Sequence, residues 1–125
     1  MLRASLGALL VAALTLALAA PGWTRSGKVV KLKGTTGPAF TITLKKGRKK
    51  VKKLKAGTYK LTISDKSRLH DFALKQVKGG TFHKELTTVP FVGKKTVKVK
   101  LTRGRWEYYC APHESVGMRG FFTVK

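Results

Sequence analysis

Apolar and polar residues alternate with a period of two along most of the chain after Gly27, which is typical of β-strands that bury one face. The alternation recurs in short runs, so it predicts several strands rather than one long element. Lys28 to Lys33 is a candidate first strand. The residues expected to face the core in the later runs are Phe40, Ile42 and Leu44; Tyr59, Leu61 and Ile63; His70, Phe72 and Leu74; Val97, Val99 and Leu101; Trp106, Tyr108 and Cys110; Phe122 and Val124.

Turn-forming residues separate these runs at regular intervals, and no convincing amphipathic helix lies between them. Several short strands joined by regular turns indicate an all-β fold, an antiparallel β-sandwich. We expect residues 28–125 to form a single domain. The turn signals are Gly34, Gly37-Pro38, Gly47, Ala56-Gly57, Ser64 to Ser67, Gly79-Gly80, Pro90, Gly93 and Arg103-Gly104.

The first residues of the chain have the composition of a targeting segment. A short basic start with Arg3 precedes an almost wholly apolar stretch, Ala4 to Ala20, which Pro21 and Gly22 interrupt. Ala17-Leu18-Ala19 fits the small-x-small cleavage pattern, so residues 1–19 are interpreted as a signal peptide cleaved after Ala19. The alternative is an uncleaved membrane anchor, since the stretch is close to spanning length. We expect export to the periplasm or the cell exterior, with residues 20–27 as a flexible lead-in.

The chain is strongly basic, with a formal net charge of +22 and 27 Lys and Arg residues against 5 Asp and Glu. Eight of the eleven residues from Lys45 to Lys55 are Lys or Arg. Such a field attracts anionic surfaces and accelerates encounters at low salt. The expected partners are acidic redox proteins, with an anionic membrane or cell-wall surface as a further possibility, whereas nucleic acid is disfavoured. The alternative is a solvated face that keeps a monomeric protein soluble.

Three candidate metal ligands lie on one short segment, Tyr108 to Met118. Cys110, the only cysteine, is followed by His113 and Met118 with C-x2-H-x4-M spacing. A thiolate, an imidazole and a thioether suit copper or zinc and poorly suit magnesium or calcium. A site with two His, one Cys and a weak axial Met is the geometry of blue-copper centres, and His70 is the best candidate for the second His. Each residue also has an ordinary interpretation: His70 could be half-buried on a strand, and Met118 could simply pack.

The residues around these ligands resemble the copper loop of the plastocyanin/azurin family of cupredoxins. The resemblance rests on Trp106 to His113 and Met118-Arg119-Gly120, and extends upstream to Ala56 to Tyr59 and Leu69 to Phe72. It implies a Greek-key, cupredoxin-like sandwich that holds one copper ion. It also implies that His113 is the exposed ligand, beside an apolar patch of Ala111, Pro112, Val116 and Pro38, and that His70 is the buried one. His83 matches no ligand pattern and is predicted to lie at the surface, and Tyr109 is predicted to be partly exposed.

Two positions depart from the pattern of the family. Many cupredoxins have Asn after the first His ligand, where this chain has Asp71, and many have Ser or Thr after the Cys, where it has Ala111. In relatives these two positions brace one another through hydrogen bonds, and such bracing holds ligands and tunes metals. Ala111 has no side-chain donor, so the rigidity and the reduction potential of the site are expected to differ.

Three functions are consistent with these features. The first is an exported type 1 copper protein that transfers single electrons between redox partners. The second is a copper carrier or buffer without a role in electron transfer, and the third is a basic polyanion-binding surface protein. Enzymatic activity is not expected, because multicopper oxidases and copper nitrite reductases need further copper sites, which the 3 His residues of the chain cannot supply.

Overall fold

The computed structural model describes residues 28–125, so the predicted signal peptide and lead-in lie outside the described residues. Within this range ten strands and one short 3₁₀ helix follow one another. They are β1 (Val30–Thr36), β2 (Ile42–Lys46), β3 (Lys49–Lys50), β4 (Lys53–Leu54), β5 (Gly57–Asp65), β6 (Phe72–Lys78), β7 (His83–Thr87), β8 (Gly93–Leu101), β9 (Gly104–Tyr109), the 3₁₀ helix (Ala111–Val116) and β10 (Arg119–Val124). Within residues 28–125, no helix is long and apolar enough to cross a membrane.

The strands form two five-stranded sheets packed face to face, which confirms the predicted all-β sandwich. The first sheet has the order β3-β2-β1-β5-β8, and the second has the order β4-β10-β9-β6-β7. Most neighbours are antiparallel, as expected, but β1 pairs with β5 in parallel and β4 pairs with β10 in parallel. Alternation carries no information about strand direction, so these two pairs could not be predicted from it.

The core lies between the sheets and consists largely of the residues that the alternation assigned to it. Of the predicted inward-facing residues, Phe40 is exposed, and Ile42 and Val97 are half-buried. All the others are buried. The first strand was predicted two to three residues too close to the start of the chain, at Lys28 to Lys33. It begins at Val30 and continues to Thr36. Phe40 was wrongly placed in a strand: β2 begins only at Ile42, and the Phe40 side chain is 64% exposed.

The sandwich has two ends, and they differ in what they carry. At one end β5 and β9 finish and β6 begins, so Asp65, Tyr109 and Phe72 lie there; we call this the site end. At the opposite end, the far end, β5 begins at Gly57 beside Leu101, and the Ala56 N–H donates to the Lys125 carbonyl oxygen (2.8 Å). The nine residues of β5 separate the two ends by roughly 25–30 Å, at about 3.3 Å per residue.

Candidate metal centre

His70 is held at the site end by a hydrogen-bonded turn that joins the two sheets. The Ser67 N–H donates to Asp65 Oδ1 (3.2 Å), and the Leu69 N–H donates to Ser67 Oγ (3.1 Å). Asp65 Oδ2 also accepts a hydrogen bond from Thr87 Oγ1 (2.9 Å), which ties the end of β5 to the end of β7. The turn delivers His70, which is only 2% exposed, just before β6 begins.

Cys110 and His113 are held by a short loop that closes on itself. Cys110 directly follows β9, and the 3₁₀ helix then carries His113, whose N–H donates to the Cys110 carbonyl oxygen (3.1 Å). Gly117 ends the helix with a φ of 97°, a conformation that glycine adopts without a steric penalty. The chain returns through Met118, whose N–H donates to the His113 carbonyl oxygen (3.2 Å) and whose carbonyl oxygen accepts from the Cys110 N–H (3.0 Å).

These two segments bring His70, Cys110 and His113 together as one cluster of ligand atoms. The Nδ1 atoms of His70 and His113 lie 3.0 Å apart, and Cys110 Sγ lies 3.8 Å from the first and 3.5 Å from the second. A point equidistant from the three atoms is about 2.0 Å from each, close to the usual distance between a bound metal ion and an imidazole nitrogen. Two nitrogens and one sulfur around such a point make the trigonal donor set preferred by type 1 copper.

Met118 is buried, with 1% of its surface exposed, and its main chain bonds to both loop ligands. The backbone therefore places Met118 directly beside Cys110 and His113. Its role as the weak axial ligand stays a prediction, which rests on spacing and on the resemblance.

Phe40 covers the two histidines from outside, a contact that the alternation did not reveal. Its ring packs edge-on against His113, with centroids 4.8 Å apart, and against His70 at 5.5 Å. Gly37 makes this loop possible: its φ is 71°, and a Cβ there would meet the His70 ring at 3.0 Å. The signal available in the sequence was the Gly37-Pro38 turn, because a strand cannot begin until such a turn is complete.

Asp71 connects the His70 segment to the Cys110 loop. Its Oδ1 atom accepts a hydrogen bond from the backbone N–H of Ala111 (2.7 Å), and the Asp71 side chain is buried. The brace expected to be missing, because Ala111 has no side-chain donor, is therefore supplied by the Ala111 main chain. Both ligand-bearing segments are fixed to one another by this bond.

The Cys110 thiol is shielded from water, because it is wholly buried. Burial raises the pKa of the Cys110 thiol, and the nearby Asp71 carboxylate acts in the same direction, although backbone hydrogen bonds partly oppose this. The free thiol is therefore protonated at neutral pH. A metal ion bound here would have to displace that proton, since the thiolate is the form that coordinates.

The rim of the site is apolar and exposed on the side of His113. Ala111 and Pro112 are exposed, Val116 and Leu69 are each 69% exposed, and His113 itself is half-buried. His70 lies underneath and is almost wholly buried, so the predicted contrast between the two histidines is confirmed.

His83 lies at the surface, as predicted, and outside the cluster of ligand atoms found in the described part of the chain. It contacts the hydroxyl of Tyr109, whose ring is also covered by the Lys75 ammonium group, 4.4 Å from the ring centroid. Tyr109 is therefore only 5% exposed, and its predicted partial exposure was wrong. The alternation could not show that side chains of the neighbouring strands β6 and β7 fold over this face of β9.

Lys75 continues into a small ionic network beside the loop. Its ammonium group lies 2.7 Å from Glu114 Oε1 and 3.5 Å from Glu107 Oε2. Burial raises the pKa of Glu107, whereas the hydrogen bond from Lys75 lowers the pKa of Glu114. Glu114 follows His113 directly, so this network helps to fix the 3₁₀ helix against the second sheet.

The fold and the cluster agree with comparisons to known proteins. The family model described as copper binding proteins, plastocyanin/azurin family, matches residues 39–125. Among solved structures the chain is similar to a point mutant of rusticyanin, with 23% identity over 80% of both chains and a TM-score of 0.55. It is also similar to rusticyanin from Thiobacillus ferrooxidans, with 24% identity, a TM-score of 0.52, and coverage of 80% of this chain and 79% of that one. No curated protein sequence matches the chain.

Proposed function

Because this chain belongs to the plastocyanin/azurin family of copper-binding proteins, we propose that it is an exported carrier of single electrons with one type 1 copper ion. The observation that supports this most directly is the triangle of His70 Nδ1, His113 Nδ1 and Cys110 Sγ. Copper bound there would supply the Cu(I)/Cu(II) couple. The function proposed is transfer of an electron between partner proteins.

Each ligand has a distinct part in this proposal. His70 and His113 would donate through nitrogen, Cys110 through a thiolate, and Met118 as the weak axial ligand. Both ligand segments are already fixed by backbone hydrogen bonds and by the Asp71 brace. A site held in this way changes little between the two oxidation states, which is the requirement for fast electron transfer.

The exposed rim gives the route for the electron. His113 is the ligand nearest to solvent, and the apolar residues around it allow a partner to approach its ring closely. Lys66, Arg68 and Arg119 are exposed around this end, so we propose an acidic redox partner. The Lys45 to Lys55 run extends from the level of Lys33 and Thr62, in the middle of the first sheet, to the far end, so it would steer the partner at a distance rather than contact it at the rim.

Titration of the purified protein with Cu(II) tests the proposal. We expect one equivalent to give an intense blue thiolate-to-copper band and reversible voltammetry. Cys110→Ser should abolish the band, and His70→Ala should destroy or reshape it. His83→Ala is the matched control, because His83 is a histidine of the same chain outside the cluster, and it should leave the spectrum unchanged.

Two outcomes would contradict the proposal in different ways. A colourless, tetragonal copper complex in the wild type would show that the triangle does not form a type 1 site. A blue but electrochemically irreversible site would favour the copper carrier. Export is tested separately, since protein isolated from its host should begin at Ala20 if residues 1–19 are a signal peptide.

A further inference from the structure

The Lys45 to Lys55 run lies along one edge of the sandwich, from the middle of the first sheet to the far end. Strands β2 and β3 form a hairpin in which Lys45 lies opposite Lys50 and Lys46 lies opposite Lys49. All four side chains are exposed. The chain then crosses to the second sheet, where Lys53 and Leu54 pair with the end of β10. The run is therefore a continuous basic surface over both sheets.

The outer face of the first sheet extends this surface. Lys31 lies opposite Lys60, Lys60 lies opposite Lys98, and Lys33 lies opposite Lys45. Like charges directly opposite one another destabilise a sheet. Since five such pairs oppose folding, the arrangement points to a binding role rather than to a structural one.

Acidic residues do not offset this charge. All 5 Asp and Glu residues of the chain lie in the half of the sandwich nearer to the site end. Three are buried, Asp65, Asp71 and Glu107, and Glu114 is paired with Lys75. Glu85 lies in β7 opposite Ala73, close to the start of β6. The molecule is therefore electrically polarised along its strands.

Two adjoining depressions shape the basic surface. One has a volume of about 550 Å³ and the other about 440 Å³, and Lys46, Lys53 and Leu54 line both. Lys55 and Lys125 border the first, and Lys49 and Lys50 border the second. The lysines thus surround recesses with room for the phosphates of projecting headgroups.

Two further features indicate the kind of anion. The basic surface spans both sheets, since Lys46 belongs to β2 of the first sheet and Lys53 to β4 of the second. The Lys45 to Lys55 run contains no aromatic residue, so it has no platform on which nucleic-acid bases could stack. The positive charge also covers a broad area rather than a single line.

We infer that the far end is a docking surface for an anionic phospholipid bilayer, which the lysines contact through headgroup phosphates. Docked in this way, the protein presents its site end away from the membrane, and the His113 rim stays free. The inference does not depend on the proposed function, because it concerns only the charges and the direction of the strands.

Vesicle sedimentation tests the docking. The purified protein should bind vesicles of phosphatidylcholine mixed with phosphatidylglycerol, fail to bind phosphatidylcholine alone, and be released by salt. A variant with Lys49, Lys50, Lys52 and Lys53 changed to Gln should lose affinity by roughly several hundredfold, because each of the four lysines near an anionic surface contributes roughly fivefold.

The matched control variant also loses four lysines, but these lie outside the Lys45 to Lys55 run. Lys66, Lys84, Lys94 and Lys95 are exposed, and most lie towards the site end, so changing all four to Gln should reduce affinity only slightly. An equal loss in both variants would show that net charge alone matters and would overturn the inference. Binding that survives both salt and substitution would belong to residues 1–27 and would also overturn it.

Lysine acetylation followed by mass spectrometry tests the orientation. On anionic vesicles, Lys46, Lys50 and Lys53 should be protected from the reagent, while Lys66 and Lys94 should react as they do in solution. Uniform protection would contradict a defined orientation. If soluble polyphosphate binds more tightly than vesicles of equal charge concentration, and displaces them, the partner is a linear polyanion and the bilayer assignment is wrong.

Discussion

The hydrogen bond between Asp71 and the Ala111 backbone keeps the two ligand segments joined, although both bracing residues differ from those of the family. The resemblance placed Asn and Ser or Thr at the two bracing positions, and their replacement by Asp71 and Ala111 suggested that the brace was lost. The carboxylate instead accepts from the Ala111 backbone N–H, which every residue except proline provides. The difference that remains is a negative charge next to the ligands.

Replacing Asp71 separates the brace from its charge. Asp71→Asn keeps an oxygen that can accept from the Ala111 N–H, so copper should still bind, but the reduction potential should rise because a negative charge that favours Cu(II) is gone. Asp71→Ala removes the brace as well and should weaken copper binding by roughly 10–100-fold. Voltammetry and copper competition titrations measure the two effects. Identical behaviour of the two variants would exclude a bracing role.

Replacing Met118 tests its axial role. Met118→Leu nearly conserves volume, so its cost in folding free energy should stay below about 1.5 kcal/mol. The copper complex should remain blue, with a higher potential, because Cu(II) loses a weak donor. Voltammetry and visible absorption measure this. An unaltered potential would show that Met118 only fills space in the loop.

At this scale the sequence identified the cluster and missed its surroundings. Cys110 and His113 could be recognised because their spacing on one loop is a local property of the chain. Phe40 could not, because its contact with both histidines depends on how the 37–41 loop folds over the site. Tyr109 was misjudged for a similar reason, since Lys75 and His83 cover it from neighbouring strands.

Among the elements, β9 and β10 matter most for the site, because they hold both ends of the ligand loop. Their register places Gly120 opposite Tyr108 and Arg119 opposite Tyr109. Gly120 is buried, and the space where a Cβ would lie is filled by the Tyr108 ring. The close approach of these strands therefore requires glycine at this position.

Gly120→Ala should consequently disturb both stability and the site. The added methyl group would displace the Tyr108 ring within the core, at a cost of about 1–3 kcal/mol in the free energy of unfolding. Because Tyr108 lies two residues before Cys110, the visible spectrum of the copper complex should shift too. Denaturant unfolding and absorption measure these effects. Gly47→Ala is the control, since open space surrounds Gly47 and only its positive φ is strained, so its spectrum should not change.

Alternation predicted where strands lie and which face is buried, because both follow from residues close in sequence. It could not predict that β1 runs parallel to β5, because the direction of pairing is decided by the connections across the sandwich. The 3₁₀ helix was likewise expected only as a loop. It depends on the hydrogen bonds that join the backbones of His113 and Met118 to Cys110, which directly follows β9.

For the whole molecule, charge is the dominant property. With a net charge of +22 and five directly opposed lysine pairs in the first sheet, the folded state repels itself. The sequence revealed the amount of charge, but its polarisation along the strands depends on which turns lie at which end.

Salt should therefore stabilise the protein. Raising sodium chloride from low to physiological concentration should increase the midpoint of thermal unfolding, because screening weakens the repulsion between lysines. The variant with four lysines of the basic run changed to Gln should unfold at a higher temperature in low salt and respond less to added salt. Circular dichroism at several ionic strengths measures both. A melting temperature that falls on adding salt would contradict the argument.

The opposition of the far end and the site end also decides how the protein would behave on an electrode. A carboxylate-coated surface would attract the lysines and hold the His113 rim roughly 25–30 Å away, a distance at which tunnelling is very slow. A methyl-coated surface would instead adsorb the apolar rim around Phe40, Leu69 and Val116 and bring the copper close. Film voltammetry should give slow electron exchange on the carboxylate coating and fast electron exchange on the methyl coating. The choice of coating would therefore determine whether a copper redox signal is detected.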